Sequence, residues 1–160
     1  YDTNRRMYPP LRTAADRDAL IAALGDGTVD AVATDHAPHD AAGKGLPFED
    51  APNGVIGVQT ALSVLLDLCA KGRLSFARVT ELLTSGPART LALPGGSLTA
   101  GAAADIAIWD PEASWEVSPD RLLSKSKNSA FLGWQMRGQV RYTLLGGRTT
   151  HSVDTSTVSV

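Results

Sequence analysis

The sequence predicts an α/β chain that closes in a small all-β unit. Three observations predict it. Residues 29–34, with Val29, Val32 and Thr34 among small neighbours, are β-branched and mostly apolar, as a strand buried on both faces must be. Helical periodicity flanks that run on both sides. After Pro94-Gly95-Gly96 the pattern changes from helical to short strands separated by turns.

Each element follows from local chemistry. Residues 1–12 read as a loop, because Pro9 and Pro10 forbid regular helix and bias Tyr8 toward extended backbone. Thr13 is an N-cap with Asp16 three residues on, close to a capping box. The helix it opens places Leu20, Ile21 and Leu24 on one apolar face and stops at Gly25 or Gly27. The strand 29–34 follows. Residues 40–57 form a long loop rich in Gly and Pro, and such loops in compact domains are functional or disordered. A second helix spans 58–71, with Leu62, Leu65, Leu66 and Cys69 at i, i+3, i+4 and i+7 and Gly72 as its stop. Ser75 caps a third helix with Phe76, Val79, Leu82 and Leu83 facing inward. Gly86-Pro87 breaks it and starts a fourth helix reaching Leu93.

Residues 105–109 and 139–144 read as strands, and Gly146-Gly147 as a hairpin turn into residues 148–151. The expected organisation is residues 1–95 as one unit, 96–152 as a β module and 153–160 as a disordered tail. One parallel strand cannot stand alone, since both its edges need partners. The missing strands are expected from upstream sequence, from a separate fragment or from another chain.

Composition narrows the function. Formal net charge is -2, which gives no polybasic surface for nucleic acid or membrane. No run approaches the roughly 20 apolar residues that span a bilayer. Cys69 is the single cysteine and cannot form an internal disulfide, which suits a cytoplasmic location. The chain opens on Tyr1 with no methionine and no signal-like segment, so a processed chain or one piece of a longer protein is expected.

Asp35, His36 and His39 carry the chemistry. A carboxylate and two imidazoles lie within five positions at the predicted end of a strand, where parallel α/β folds bind ligands. Asp can ligate a cation or accept a proton, and His can ligate or hydrogen-bond an anionic substrate. The alternative is a capping Asp with two surface histidines. The apolar strand before and the long loop after favour a site.

Ala33-Thr34-Asp35-His36-Ala37-Pro38-His39 resembles the signature at the end of barrel strand eight in dihydroorotases. So does what surrounds it. Lys44, Phe48 and Ala51-Pro52-Asn53-Gly54 match that family's following loop. Pro9-Pro10-Leu11-Arg12 matches an upstream segment. Gly101-Ala102-Ala103-Ala104-Asp105-Ile106 and Asn128-Ser129-Ala130-Phe131-Leu132-Gly133 match its β module. The resemblance runs to about His151.

It implies the C-terminal portion of a (β/α)8 barrel, its last strand and helices, followed by a small β-sandwich. It also implies zinc-dependent, reversible cyclisation of N-carbamoyl-L-aspartate to dihydroorotate in pyrimidine synthesis. Asp35 would be the catalytic base and a metal ligand. His39 and the backbone of Asn53 and Gly54 would bind substrate. Lys44 would shield the anionic substrate or stand as a solvated loop charge, and His36 would be structural. Tyr8 stands where the family has a substrate-binding Asn, and a phenol cannot copy an amide's paired donor and acceptor. It would fill the substrate space, swing away, or pack over the barrel mouth.

The family's other metal ligands, a His-x-His and middle-strand histidines, are not in these 160 residues. So this chain alone is expected not to bind the zinc pair or turn over substrate. Implied partners are a small-molecule substrate, the rest of the barrel, a second copy or aspartate carbamoyltransferase. The alternatives are a non-catalytic dihydroorotase-like partner of aspartate carbamoyltransferase, or a hydantoinase or allantoinase segment.

Overall fold

The computed structural model describes residues 1–153. The segment expected to be a loop begins with a 3-10 turn, Thr3–Arg5, capped by the Asp2 carboxylate accepting from the Asn4 N–H. Helix α1 is Ala14–Asp26. Thr13 Oγ1 accepts from the Asp16 N–H at 3.2 Å, and the Thr13 N–H donates to Asp16 Oδ2 at 3.0 Å. The capping box is therefore complete. Gly27, at φ 92°, ends the helix in the left-handed conformation that glycine adopts without penalty. Arg12 does pair with Asp16, at 3.7 Å, but both side chains are solvated and the pair adds little stability.

The Thr13 hydroxyl and N–H hold the Asp16 carboxyl below the ordinary aspartate range. A depressed folded-state pKa contributes stability above the unfolded value and loses it as pH falls through the folded one. Acidification below about pH 3.9, the usual Asp pKa, should therefore fray the first turn of α1. Amide exchange at Arg17, whose N–H donates to the Thr13 carbonyl, should speed up there. Asp16→Asn should remove that pH dependence.

Residues 29–34 depart from expectation. They form no ladder among the described residues, where the sole bridge nearby is an isolated parallel one, His36 to Val55. None of the six is fully buried, and Asp30 and Ala33 are exposed. A strand exists through its neighbours' hydrogen bonds, and none of the described elements supplies them. The run is held instead by its own helices. Val32 N–H donates to the Leu82 carbonyl at 3.2 Å, and Arg78 donates to the Val29 carbonyl. The expected apolar face of α1 is split: Leu20 is 60% exposed, while Leu24 packs against the cluster of Leu65, Leu66, Leu74, Val79 and Leu82.

Residues 40–57 are more ordered than a Gly/Pro loop suggests. Asp40 caps a short helix, α2 (Ala41–Lys44), through the Gly43 N–H at 2.7 Å. Helices α3 (Ala61–Ala70) and α4 (Phe76–Leu83, capped by Ser75) follow the predicted periodicity, α3 beginning later than residue 58. Helix α5 (Ser85–Thr90) departs from expectation, since the break falls at Thr84, before Gly86-Pro87, and the helix ends short of Leu93. Phe76 is a correction: it is half-exposed and stacks on Trp109 with centroids 4.8 Å apart.

Strands β1 (Ile106–Glu116), β2 (Gln135–Leu145) and β3 (Arg148–Ser152) make one antiparallel sheet in the order β1-β2-β3. Both long strands exceed the predicted runs. β1 continues past Pro111 because the register shifts between Asp110 and Ser114, and a bulge is where a strand tolerates proline. Gly146 and Gly147 both have positive φ, as a two-residue hairpin turn requires. A sandwich needs a second sheet facing the first, and the described residues form one. The Val153 N–H donates to the Arg141 carbonyl at 2.9 Å, so the expected disordered tail does not begin there; residues 154–160 lie outside the described residues.

Two apolar clusters meet at α3. Leu65 and Leu66 join Leu74, Val79 and Leu82, while Val64 packs on Ile56, Trp115, Val117, Leu122 and Met136. The helix lies directly on β2. A Cβ on Gly138 would come within 2.2 Å of Leu66 Cδ1. Trp115 Nε1 donates to Ser63 Oγ and the Gly138 carbonyl, both at 3.1 Å. No helix among the described residues is long and apolar enough to cross a membrane.

Candidate active site

The approach to Asp35 is fixed by the helices. At Gly86 a Cβ would come within 2.1 Å of the Asp30 carbonyl, so the chain runs against α5 with no room to shift. It then turns at Asp35, whose φ is 43°. Few non-glycine residues accept that conformation, Asp and Asn among the most tolerant, and it concentrates at functional sites. The Asp35 side chain is exposed and makes no hydrogen bond or ion pair among the described residues. Its carboxylate is available to something outside this set.

His36 is occupied by the fold, as expected of a structural residue. Its Nδ1 accepts from the backbone N–H of Gly57 at 3.2 Å and of Val58 at 3.4 Å. An accepting nitrogen carries no proton, so the ring hydrogen sits on Nε2. The arrangement ties the Asp35 corner to the turn that enters α3.

His39, Asn53 and Gly54 come together. His39 Nε2 lies 2.7 Å from the Asn53 carbonyl oxygen. A carbonyl only accepts, so Nε2 is the donor. The Asn53 N–H makes no hydrogen bond among the described residues, and its carbonyl keeps a second lone pair. One exposed residue thus presents a donor and an acceptor side by side. Gly54 is different. Its N–H donates to the Arg6 carbonyl at 2.9 Å, and its carbonyl accepts from Asn128 Nδ2 at 3.3 Å. Its backbone groups already have partners within the chain. Glycine is required there by fit: φ is 112°, and a Cβ would meet Ala37 Cβ at 2.5 Å.

Two cations hold the turn from behind. Lys44, 7% exposed, donates from Nζ to the carbonyls of Thr3 at 2.9 Å and Pro52 at 2.8 Å. Burial, then Arg6 nearby, pushes its pKa below the ordinary lysine value. Lys44 is therefore neither a solvated loop charge nor turned toward a ligand. Arg6 donates to the Ala51 carbonyl and lies over the Phe48 ring. Sequence reasoning missed both roles: Lys44 reaches Thr3, 41 residues away, as well as Pro52, 8 away, and Arg6 reaches Ala51, 45 away. Tyr8 is 79% exposed and makes no aromatic pair or hydrogen bond among the described residues.

A zinc pair does not fit what the described residues offer. No three or more His, Cys, Asp or Glu side chains among them are grouped to hold a metal ion. Asp35 contributes one carboxylate, while His36 Nδ1 and His39 Nε2 are engaged on backbone. Two cavities of about 570 and 590 Å³ flank α3 against the sheet. Neither is lined by Asp35, His39, Asn53 or Gly54.

The sequence profile of the amidohydrolase family matches residues 7–150. The dihydroorotase of Anaeromyxobacter dehalogenans strain 2CP-1 is 49% identical over 154 residues, covering 96% of this chain and 36% of that protein. The dihydroorotase of Geobacter metallireducens is 46% identical over 151 residues, covering 94% and 36%. Among solved structures, a D-hydantoinase superposes with TM-score 0.84 at 27% identity, covering 94% of this chain and 34% of that one. The L-hydantoinase of Arthrobacter aurescens gives 0.84 at 29%, covering 94% and 36%. The chain spans about a third of the length of the relatives it matches.

Proposed function

The chain belongs to the amidohydrolase family, and we propose that it is the C-terminal part of a dihydroorotase. In this reading residues 1–95 close a (β/α)8 barrel and residues 96–152 supply part of a β-sandwich. The unpartnered run 29–34 is then the last barrel strand, and its missing neighbours explain its exposure. Identity supports dihydroorotase over hydantoinase or allantoinase: the named dihydroorotases stand at 46% and 49%, the hydantoinases at 27% and 29%.

The observation that carries the reading is the strained Asp35 corner with an unengaged carboxylate, followed by His39 and Asn53 joined at 2.7 Å. In the ring-opening direction, water adds to the ring amide carbon. Asp35 takes one of the water's protons and returns it to the ring nitrogen as the C–N bond breaks, leaving a ureido group and a carboxylic acid that releases the other proton to solvent. The exposed N–H and carbonyl of Asn53 match the alternating C=O and N–H edge of a dihydropyrimidine. His39, held by that same carbonyl through Nε2, offers its Nδ1 to the substrate. Zinc is implied by the family resemblance, and these residues would give it one carboxylate ligand, Asp35; the rest must come from outside residues 1–160. Partners follow the same logic: the remaining barrel segment first, with a second copy or aspartate carbamoyltransferase as further candidates.

The test is turnover of dihydroorotate by the complete protein beside the 160-residue chain alone. The complete protein should open and close the ring, and the isolated chain should show nothing above background with zinc added. A complete protein that opens hydantoins but not dihydroorotate would move the assignment to the hydantoinases. Inertness toward both would favour the non-catalytic partner, which Tyr8 in place of the family's Asn already suggests.

A further inference from the structure

Resting on the assignment of His39 and Asn53 to substrate, we propose that Asn128 is the positioning residue that sets the spacing between them. Asn128 is 6% exposed and sits between β1 and β2, far along the chain from both segments. Its Oδ1 accepts from the His39 N–H at 3.2 Å. Its Nδ2 donates to the Ala37 carbonyl at 3.0 Å and the Gly54 carbonyl at 3.3 Å. One planar amide thereby spends an acceptor and two donors on three backbone points. They bracket the 37–39 corner and the 53–54 turn. No other neutral side chain in this position offers that set. Its backbone adds a fourth tie, the Asn128 carbonyl accepting from the Ile56 N–H at 3.1 Å.

The support behind it is stiff. Lys127 Nζ donates to the carbonyls of Leu122 and Ser124, and Leu122 is in the apolar cluster with Trp115 and Val117. Neither 37–39 nor 53–54 lies in a helix or a strand. What holds them together besides Asn128 is the Ala37 N–H on the Val55 carbonyl and the His39–Asn53 contact itself. Losing the amide leaves a donor and two acceptors unmatched and frees two segments to drift apart. His39 and Asn53 are assigned to binding and not to the reacting carbon, so their displacement removes uniform binding and shows mainly in KM.

The experiment uses the complete protein and dihydroorotate. Asn128→Asp keeps the volume and the acceptor but removes both donors; Asn128→Leu keeps the shape and removes all three bonds. Both should raise KM about tenfold, with kcat per folded molecule changed less than about threefold, the pattern of lost binding contacts. Ser129→Ala, in the same loop but with its hydroxyl bonded to the Phe131 N–H and to neither segment, should lower Tm and leave KM unchanged. A fall in kcat matching the folded fraction, with KM constant, would reduce Asn128 to a structural residue. Should neither variant fold, amide exchange in the unmutated protein decides. The His39 N–H, whose acceptor is the Asn128 side chain, should be protected, and fast exchange there overturns the proposal. That measurement needs no activity. An inert complete protein would sink the dihydroorotase assignment while the His39 amide still reports on Asn128.

Discussion

Asp35→Ala in the complete protein should lower the rate of ring opening by about two orders of magnitude or more, the scale on which a positioned acid–base group contributes. Stability should change little. Large losses of stability come from cavities, unmatched buried groups or broken networks. The Asp35 side chain is exposed and engages nothing among the described residues, so none of these mechanisms applies. Its backbone, at φ 43°, is strained for alanine as well. Asp35→Asn separates the two contributions, because Asn tolerates the left-handed region as Asp does while an amide cannot take up the proton. Both variants should lose rate alike, with Tm near the parent value in Asp35→Asn and somewhat lower in Asp35→Ala. A near-normal rate in either would remove Asp35 from the chemistry.

That pairing of strain with an idle carboxylate was half legible in the sequence. The spacing of Asp35, His36 and His39 marked a site, but the positive φ did not show. Local signals were read well: the Thr13 and Ser75 caps, the Gly72 stop and the Gly146-Gly147 turn each depend on residues within a few positions. Long-range matching was not. The Val29–Thr34 pattern looks like a buried strand, yet among the described residues no strand pairs with it. Lys44 looks like a solvated loop charge until the chain folds back to bring the Thr3 and Pro52 carbonyls to it. Asn128 sits in a recognisable motif, yet its partners lie 74 to 91 residues away. The first strand of the β module reads as ending at Trp109, and only the pairing with β2 carries it past Pro111.

Gly54→Ala should be the most damaging single methyl group near the site. Two independent effects add there. At φ 112° an L-residue is strained, which costs on the order of 1–3 kcal/mol. The new Cβ would also sit 2.5 Å from Ala37 Cβ, a distance that real carbons do not share. Neither side can yield easily. Ala37 is held through its N–H on the Val55 carbonyl and through its own carbonyl on Asn128. Gly54 is held through its N–H on the Arg6 carbonyl. The turn must therefore move as a body, taking the Asn53 carbonyl away from His39 Nε2. If about 2 kcal/mol of substrate binding is lost with that contact, KM rises about 30-fold, together with a fall in Tm. Gly54→Ala combined with Ala37→Gly relieves the clash but not the φ strain. It should recover part of the Tm and most of the KM if close approach sets the site's geometry. A double variant as impaired in KM as the single one would assign the whole effect to backbone strain at residue 54.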